Sequence, residues 1–263
     1  MVVTRCLVGL VAGAVLVLSG FSAAAARPAR LLAHLGVYDF SLAPGPSSPY
    51  SGGAARLAVE LRDVCNGYSV RERFVLVLYD QAGAPMVTDT RNTAWESYDS
   101  AHYRFHQSTR VGGRIVERFD GRARAPVGKK PGRARYQTPE GLEVTLPAGV
   151  IFPGAHMRQL IERAQAGKPM LWRSLFDGAG GIGAQGVSAF IGHPKSAPGK
   201  RPSLGRFWPV RLAFFPAKAR LPDYEMSMRL HENGVISWLR FDYDDFSLSG
   251  TLGFFRPLPA PAC

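Results

Sequence analysis

Cys65 and Cys263 are the residues of this chain with the plainest chemistry. A third cysteine, Cys6, stands inside an apolar N-terminal stretch and is read as inert. Two thiols left on an exported chain meet an oxidising compartment, where disulfides form and persist. A bond between them would close a loop of about 200 residues, with a ceiling near 5 kcal/mol from restriction of the unfolded chain. It would also tie down a proline-rich tail, residues 256–263. Two free thiols, or a bond between molecules, remain the open alternatives.

The other candidate groups point to structure more than to catalysis. His102 and His106 stand four residues apart, a spacing that would pair two metal ligands on a helix. Tyr103 and Phe105 alternate with them, however, so the segment reads as a strand, where positions four apart are separated by about 13 Å. Zinc–nitrogen bonds are only about 2 Å long, so the two cannot share an ion. His156, beside Met157, is read as a packed or capping histidine. Glu96 follows Trp95; if buried it needs a partner, and a structural ion pair is the expected one. Asp242, Asp244 and Asp245 crowd one segment, with Asp242 and Asp244 expected on one strand face near Arg240. A calcium site would need further oxygens gathered in a turn. No Gly-x-Ser-x-Gly, phosphate loop or paired-histidine zinc motif occurs. Neither a catalytic set, a cofactor nor a metal is expected.

Charge supplies the remaining signal. The chain holds 32 Lys and Arg against 20 Asp and Glu, a formal net charge of +12. Inside a cell this balance would suggest nucleic acid; on an exported protein it suggests anionic lipid, lipopolysaccharide phosphates or an acidic protein. Two segments concentrate it, and both read as loops without acids. Residues 121–136 carry Arg122, Arg124, Lys129, Lys130, Arg133 and Arg135, the candidate surface for an anion or partner. Residues 192–206 carry Lys195, Lys200, Arg201 and Arg206.

The elements that must position these groups are strands. Residues 1–26 come first, with Arg5, an apolar run of about twelve residues and a closing Ala24-Ala25-Ala26. That run is too short to span a bilayer and is expected to be a cleaved signal peptide. Residues 27–263 then form a single β-domain. Period-2 alternation recurs over residues 57–62, 68–78, 88–96, 103–108, 115–122, 142–146, 169–176, 207–215, 224–230 and 235–243. Asp120-Gly121, Asp177-Gly178 and Asn233-Gly234 read as hairpin turns between such runs. One segment differs. Met157, Leu160, Ile161 and Ala164 share a helical face over residues 154–166, and Gly167 follows where a left-handed cap would end the helix. This helix divides the β-structure into two halves.

The order of local sequences carries a family resemblance. His34 and Tyr38 precede Cys65-Asn66-Gly67-Tyr68 and Arg73-Phe74. Thr93-Ala94-Trp95-Glu96-Ser97, Tyr103-Arg104-Phe105 and Leu146-Pro147-Ala148-Gly149-Val150 follow. Phe152-Pro153, His156, Ala166-Gly167, Phe176-Asp177-Gly178 and the terminal Cys263 complete the series. The chain resembles the EipB-like cell-envelope integrity proteins of alphaproteobacteria, once described only as a domain of unknown function, from about residue 31 to its end. The resemblance implies a periplasmic, all-β protein: a long, spiral-like or open-barrel antiparallel structure with one prominent helix. It also implies a disulfide joining Cys65 to Cys263, and a periplasmic tetratricopeptide-repeat protein as partner. The basic segment at 121–136 and the proline-rich tail depart from the family pattern.

The expected function is non-enzymatic: maintenance of envelope integrity by binding another envelope component. Four tryptophans and a generous stock of Phe and Tyr suit, alternatively, a carrier or sensor of an amphipathic envelope lipid or glycan. A third reading is an envelope hydrolase using Glu96 or the Asp242–Asp244 face.

Overall fold

The computed structural model describes residues 29–45, 48–179, 183–196 and 204–263. The expected signal peptide lies outside them, as do Lys200 and Arg201 of the second basic segment. The described chain is mostly strand. Eight strands come first: β1 (His34–Pro44), β2 (Tyr50–Asp63), β3 (Gly67–Asp80), β4 (Pro85–Ser97), β5 (His102–Val111), β6 (Arg114–Arg124), β7 (Gly132–Thr138) and β8 (Glu143–Leu146). A two-residue β9 (Val150–Ile151) leads into the helix α1 (Pro153–Gln165). The second run is β10 (Met170–Leu175), β11 (Gln185–Ile191), β12 (Lys195–Ser196), β13 (Arg206–Phe215), β14 (Tyr224–His231), β15 (Ile236–Asp242) and β16 (Phe246–Pro257).

One sheet holds all of them. From β1 to β8 each strand pairs antiparallel with its chain neighbour. The second run does likewise from β10 to β16, with β12 paired only to β13. Pairing of β1 with β16 joins the two meanders. The outer edges, β8 and β9, are consecutive in the chain, so three residues bridge the remaining gap and β9 runs parallel to β10. The result is a nearly closed, barrel-like sheet with a single seam.

Alternation explains why these segments become strands. In β7 burial alternates strictly: Ala134 and Tyr136 face inward while Arg133 and Arg135 face out. In β5 Tyr103 and Phe105 are buried, and His102 and Arg104 are exposed. The inward side chains build an aromatic cluster at one end of the barrel. Tyr103 stacks on Phe152 with ring centres 5.0 Å apart, and Phe105 meets the edge of Tyr136 at 5.1 Å. Phe152 and Phe176 are fully buried beneath them. A larger cluster fills the rest, drawing Tyr38, Phe40, Trp208, Leu230 and Leu248 together with Leu160, Ile161 and Ala164 of the helix.

Three expectations need correction. Asp120-Gly121 is not a turn but part of β6. A Cβ on Gly121 would stand 2.6 Å from both the Phe105 ring and the Arg135 carbonyl, so glycine is required there by close packing. Second, the basic segment at 121–136 is not one loop: its two ends are the paired strands β6 and β7, and only the stretch between them is a turn. Third, Asp244 and Asp245 lie beyond the end of β15, in the connection to β16. Only Asp242 remains on the strand, and its Oδ1 accepts a bond from Arg240 Nε at 2.7 Å. Asp177-Gly178 and Asn233-Gly234 do lie in connections, between β10 and β11 and between β14 and β15.

The helix forms as its spacing predicts, with Ala166 as its C-cap and Gly167 just beyond it at φ of +65°. Its start is unusual. Phe152 at the N-cap supplies no side-chain bond, and the first turn holds no acid of its own. Glu96, at the end of β4, takes that part.

Candidate functional site: an arginine cleft on the outer face

The same alternation that buries Tyr103, Phe105, Ala123, Ala134 and Tyr136 turns the residues beside them outward, at the start of β5, at the end of β6 and along β7. Those outward positions are His102, Arg104, Arg122, Arg124, Arg133 and Arg135. Strand register aligns them in two rungs. In one, Arg104 stands opposite Arg122, and Arg122 opposite Arg135. In the other, His102 stands opposite Arg124, and Arg124 opposite Arg133. With Trp95 of β4 they line a cleft of about 680 Å³. A second, of about 420 Å³, shares Trp95, Arg104 and Arg122 with it and extends past His106 and Asp120.

Electrostatics divide the cleft. On its β8 side Glu143 bridges two arginines, with Oε2 3.3 Å from Arg133 Nη1 and Oε1 2.9 Å from Arg135 Nε. Its far end is also paired, His106 Nδ1 lying 2.9 Å from Asp120 Oδ2. Among the described residues no carboxylate pairs with Arg104, Arg122 or Arg124, which occupy the centre. Arg104 is placed by an aromatic wall: its guanidinium lies 5.2 Å from the centre of the Trp95 ring. The Trp95 indole N–H in turn donates to Asn66 Oδ1 at 3.1 Å. Asn66 follows Cys65, which is bonded to Cys263 across a Cα–Cα distance of 5.7 Å. The turn that carries the disulfide thus also fixes the wall of the cleft.

Of the six basic residues expected to form a surface, Arg122, Arg124, Arg133 and Arg135 line the cleft. Lys129 and Lys130 do not; they are exposed in the turn between β6 and β7. Trp95, His102 and Arg104 are members that the basic segment alone did not reveal. Their signal was present in Tyr103-Arg104-Phe105, where a cation alternates with aromatics that must face inward.

Glu96 lies close by but faces inward, and its two oxygens are fully engaged. The N–H groups of Gly154 and Ala155 donate to Oε2 and Oε1 at 2.6 and 2.7 Å. The Ser100 hydroxyl donates to Oε1 at 2.8 Å, and Arg158 Nη2 stands 3.3 Å from it. At 5% exposure this carboxylate is the anion of a helix N-terminus, supplied from another element. His156 is equally buried; desolvation, with a smaller push from the Arg173 guanidinium, pulls its imidazole down to about 4 and keeps it neutral. It packs rather than titrates at neutral pH. Among the described residues no three His, Cys, Asp or Glu side chains gather as metal ligands. None of their helices is long and apolar enough to cross a membrane.

Comparison with known proteins agrees with this architecture. The sequence profile of the EipB-like family matches residues 25–259. The cell envelope integrity protein EipB of Brucella abortus (strain 2308) is 30% identical over 248 residues, covering 89% of this chain and 88% of that protein. A crystal structure of a beta-barrel-like protein of a domain of unknown function, also from Brucella abortus, matches with a TM-score of 0.81. It shares 27% sequence identity and covers 88% of this chain and 100% of its own. Kinship to a cell envelope integrity protein and a formed disulfide both point to the envelope, outside the reducing cytoplasm.

Proposed function

This chain belongs to the EipB-like family, and on that premise we propose that it maintains cell-envelope integrity without catalysis, by holding an anionic envelope component in the arginine cleft. Removal of residues 1–26 as a signal peptide delivers a single β-domain to the periplasm, where Cys65 and Cys263 are oxidised. The observation that carries this reading is the uncompensated centre of the cleft. Like charges directly opposite one another on neighbouring strands destabilise a sheet. Three adjacent strands here place arginine against arginine, with Glu143 neutralising only the outermost pair. Such an arrangement is understood if an anion from outside completes it. Glu96, the buried acid that the hydrolase reading names, already serves the helix terminus, which supports a binding role over an enzymatic one.

The test is co-sedimentation with vesicles at low salt. Wild-type protein is expected to bind anionic vesicles and not neutral ones, and to release them as salt screens the charges. A variant with Arg122, Arg124, Arg133 and Arg135 replaced by Ser should lose that binding and fail to rescue envelope stress sensitivity in a deletion strain. Undiminished binding and full rescue by this variant would reduce the cleft to a solvated face. An acidic surface on the helical-repeat partner implied by the family would be revealed by the same variant, as loss of a crosslink in intact envelopes.

A further inference from the structure

We infer that the centre of the cleft binds a phosphate monoester, held between Arg122 and Arg124. This rests on the cleft being the binding surface and specifies what it takes. The structure contains its own precedent. On β7, Arg133 and Arg135 stand two residues apart, and one carboxylate closes the pair by giving an oxygen to each. Arg122 and Arg124 repeat that spacing one strand further in, directly opposite Arg135 and Arg133. They have no Glu143 of their own among the described residues. One oxyanion over β6 would do for them what Glu143 does on β7.

The difference lies on the other side. Beyond β7 the pair meets only the short strand of Glu143, whereas beyond β6 lie Arg104 and His102, opposite Arg122 and Arg124. An anion at the centre is therefore faced by donors from two strands, and a carboxylate offers too little charge and too few oxygens for them. A phosphate monoester near neutral pH carries about −1.5 to −2 charges and three strong acceptor oxygens. A diester has a single charge and only two free oxygens. Guanidinium forks match phosphate oxygens bidentately, which a lysine patch would not. Arg104 is already aimed, because it lies over Trp95, which is itself tied to Asn66, so less side-chain freedom is lost when the ligand arrives.

The experiment compares two vesicle compositions matched in zeta potential: phosphatidylcholine with phosphatidic acid, whose headgroup is a phosphate monoester, and with phosphatidylglycerol, a diester. Phosphatidic acid is expected to bind about tenfold more tightly. Arg122→Thr and Arg124→Thr should each remove that preference, while the double variant Lys129→Ser/Lys130→Ser, outside the cleft, should keep it. Glycerol 3-phosphate is the soluble arm. Competition by it, but not by glycerol, assigns the site to phosphate monoesters in solution as well; competition only by phosphatidic acid vesicles assigns it to a membrane headgroup. Equal binding to the two lipids overturns the monoester assignment and leaves the anion-binding function standing. Absence of binding to either overturns both.

Discussion

Arg122→Thr should make the protein more stable while disabling its cleft. Arg122 stands in register with Arg104 on one side and Arg135 on the other, so the substitution removes two like-charge contacts at once. Cross-strand pairs of this kind are worth about 0.2–1 kcal/mol each. Threonine suits an outward strand position, so little β-propensity is lost. The gain should be about 1 kcal/mol, which for a domain of this size raises Tm by about 2–4 °C. Thermal melts in a phosphate-free buffer of low ionic strength would measure it. At 1 M salt the Debye length shrinks to about 3 Å and the gain should fall toward zero. Added phosphate monoester should reverse the order, because it stabilises only the chain that binds it, by about 2.7 kcal/mol at a hundredfold excess over Kd. Glu143→Gln is the mirror case: it strips Arg133 and Arg135 of their shared carboxylate and should lower stability at low salt. If Arg122→Thr destabilises at low salt, or its effect ignores salt, the charges are not in conflict and the reasoning from register is wrong.

The remaining predictions concern the interior and the clasp. Glu96→Gln leaves Arg158 buried without its counter-charge and weakens the cap of α1, so it should cost about 3–5 kcal/mol in denaturant melts; a hydrolase role would instead leave stability untouched and abolish rescue. His156 has a folded pKa near 4, below its unfolded value of 6.5, so the unfolded chain takes up the proton first as pH falls. Stability should be full above pH 6.5 and decline toward pH 4, by about 2 kcal/mol at pH 5, and His156→Phe should flatten that part of the profile. Burial also lowers His34 and His231, which adds slope of the same sign. Cys65→Ser removes a crosslink between residues 198 apart and should lower stability by up to about 5 kcal/mol, matched by reduction of the wild type; identical melts with and without reductant would show that the unfolded chain is not restrained by it.

The β-class was legible because long side chains alternate over many segments, and the helix because one stretch broke that period. What misled was the size of the alternating residues. Arg122-Ala123-Arg124 and Arg133-Ala134-Arg135 have a period of two, but their apolar members are alanines, so charge hid the pattern and the stretch read as a loop. Small residues are needed there because Phe105 and Tyr136 already fill the space inside. Asp120-Gly121 carried a turn signature for the same reason: glycine can mean positive φ or close packing, and only the neighbouring Phe105 decides between them. Asp244 and Asp245 were placed on a strand because alternation says nothing about where pairing ends.

The cleft was half visible, since its arginines stand out in the sequence, but as members of one basic loop with Lys129 and Lys130. Register is what sorts them, and register is a property of two paired strands, which alternation within either one does not reveal. Arg104 is brought to Arg122, and Trp95 to Arg104, only by the antiparallel pairing of β4, β5 and β6. Once that pairing is given, the lysines separate from the arginines on physical grounds. The arginines sit on strands whose opposite faces are locked by stacked rings, so their Cβ positions are fixed, whereas the lysines ride on a turn. A site that must hold one anion at several points needs the first kind of support; a diffuse basic surface would be satisfied by the second.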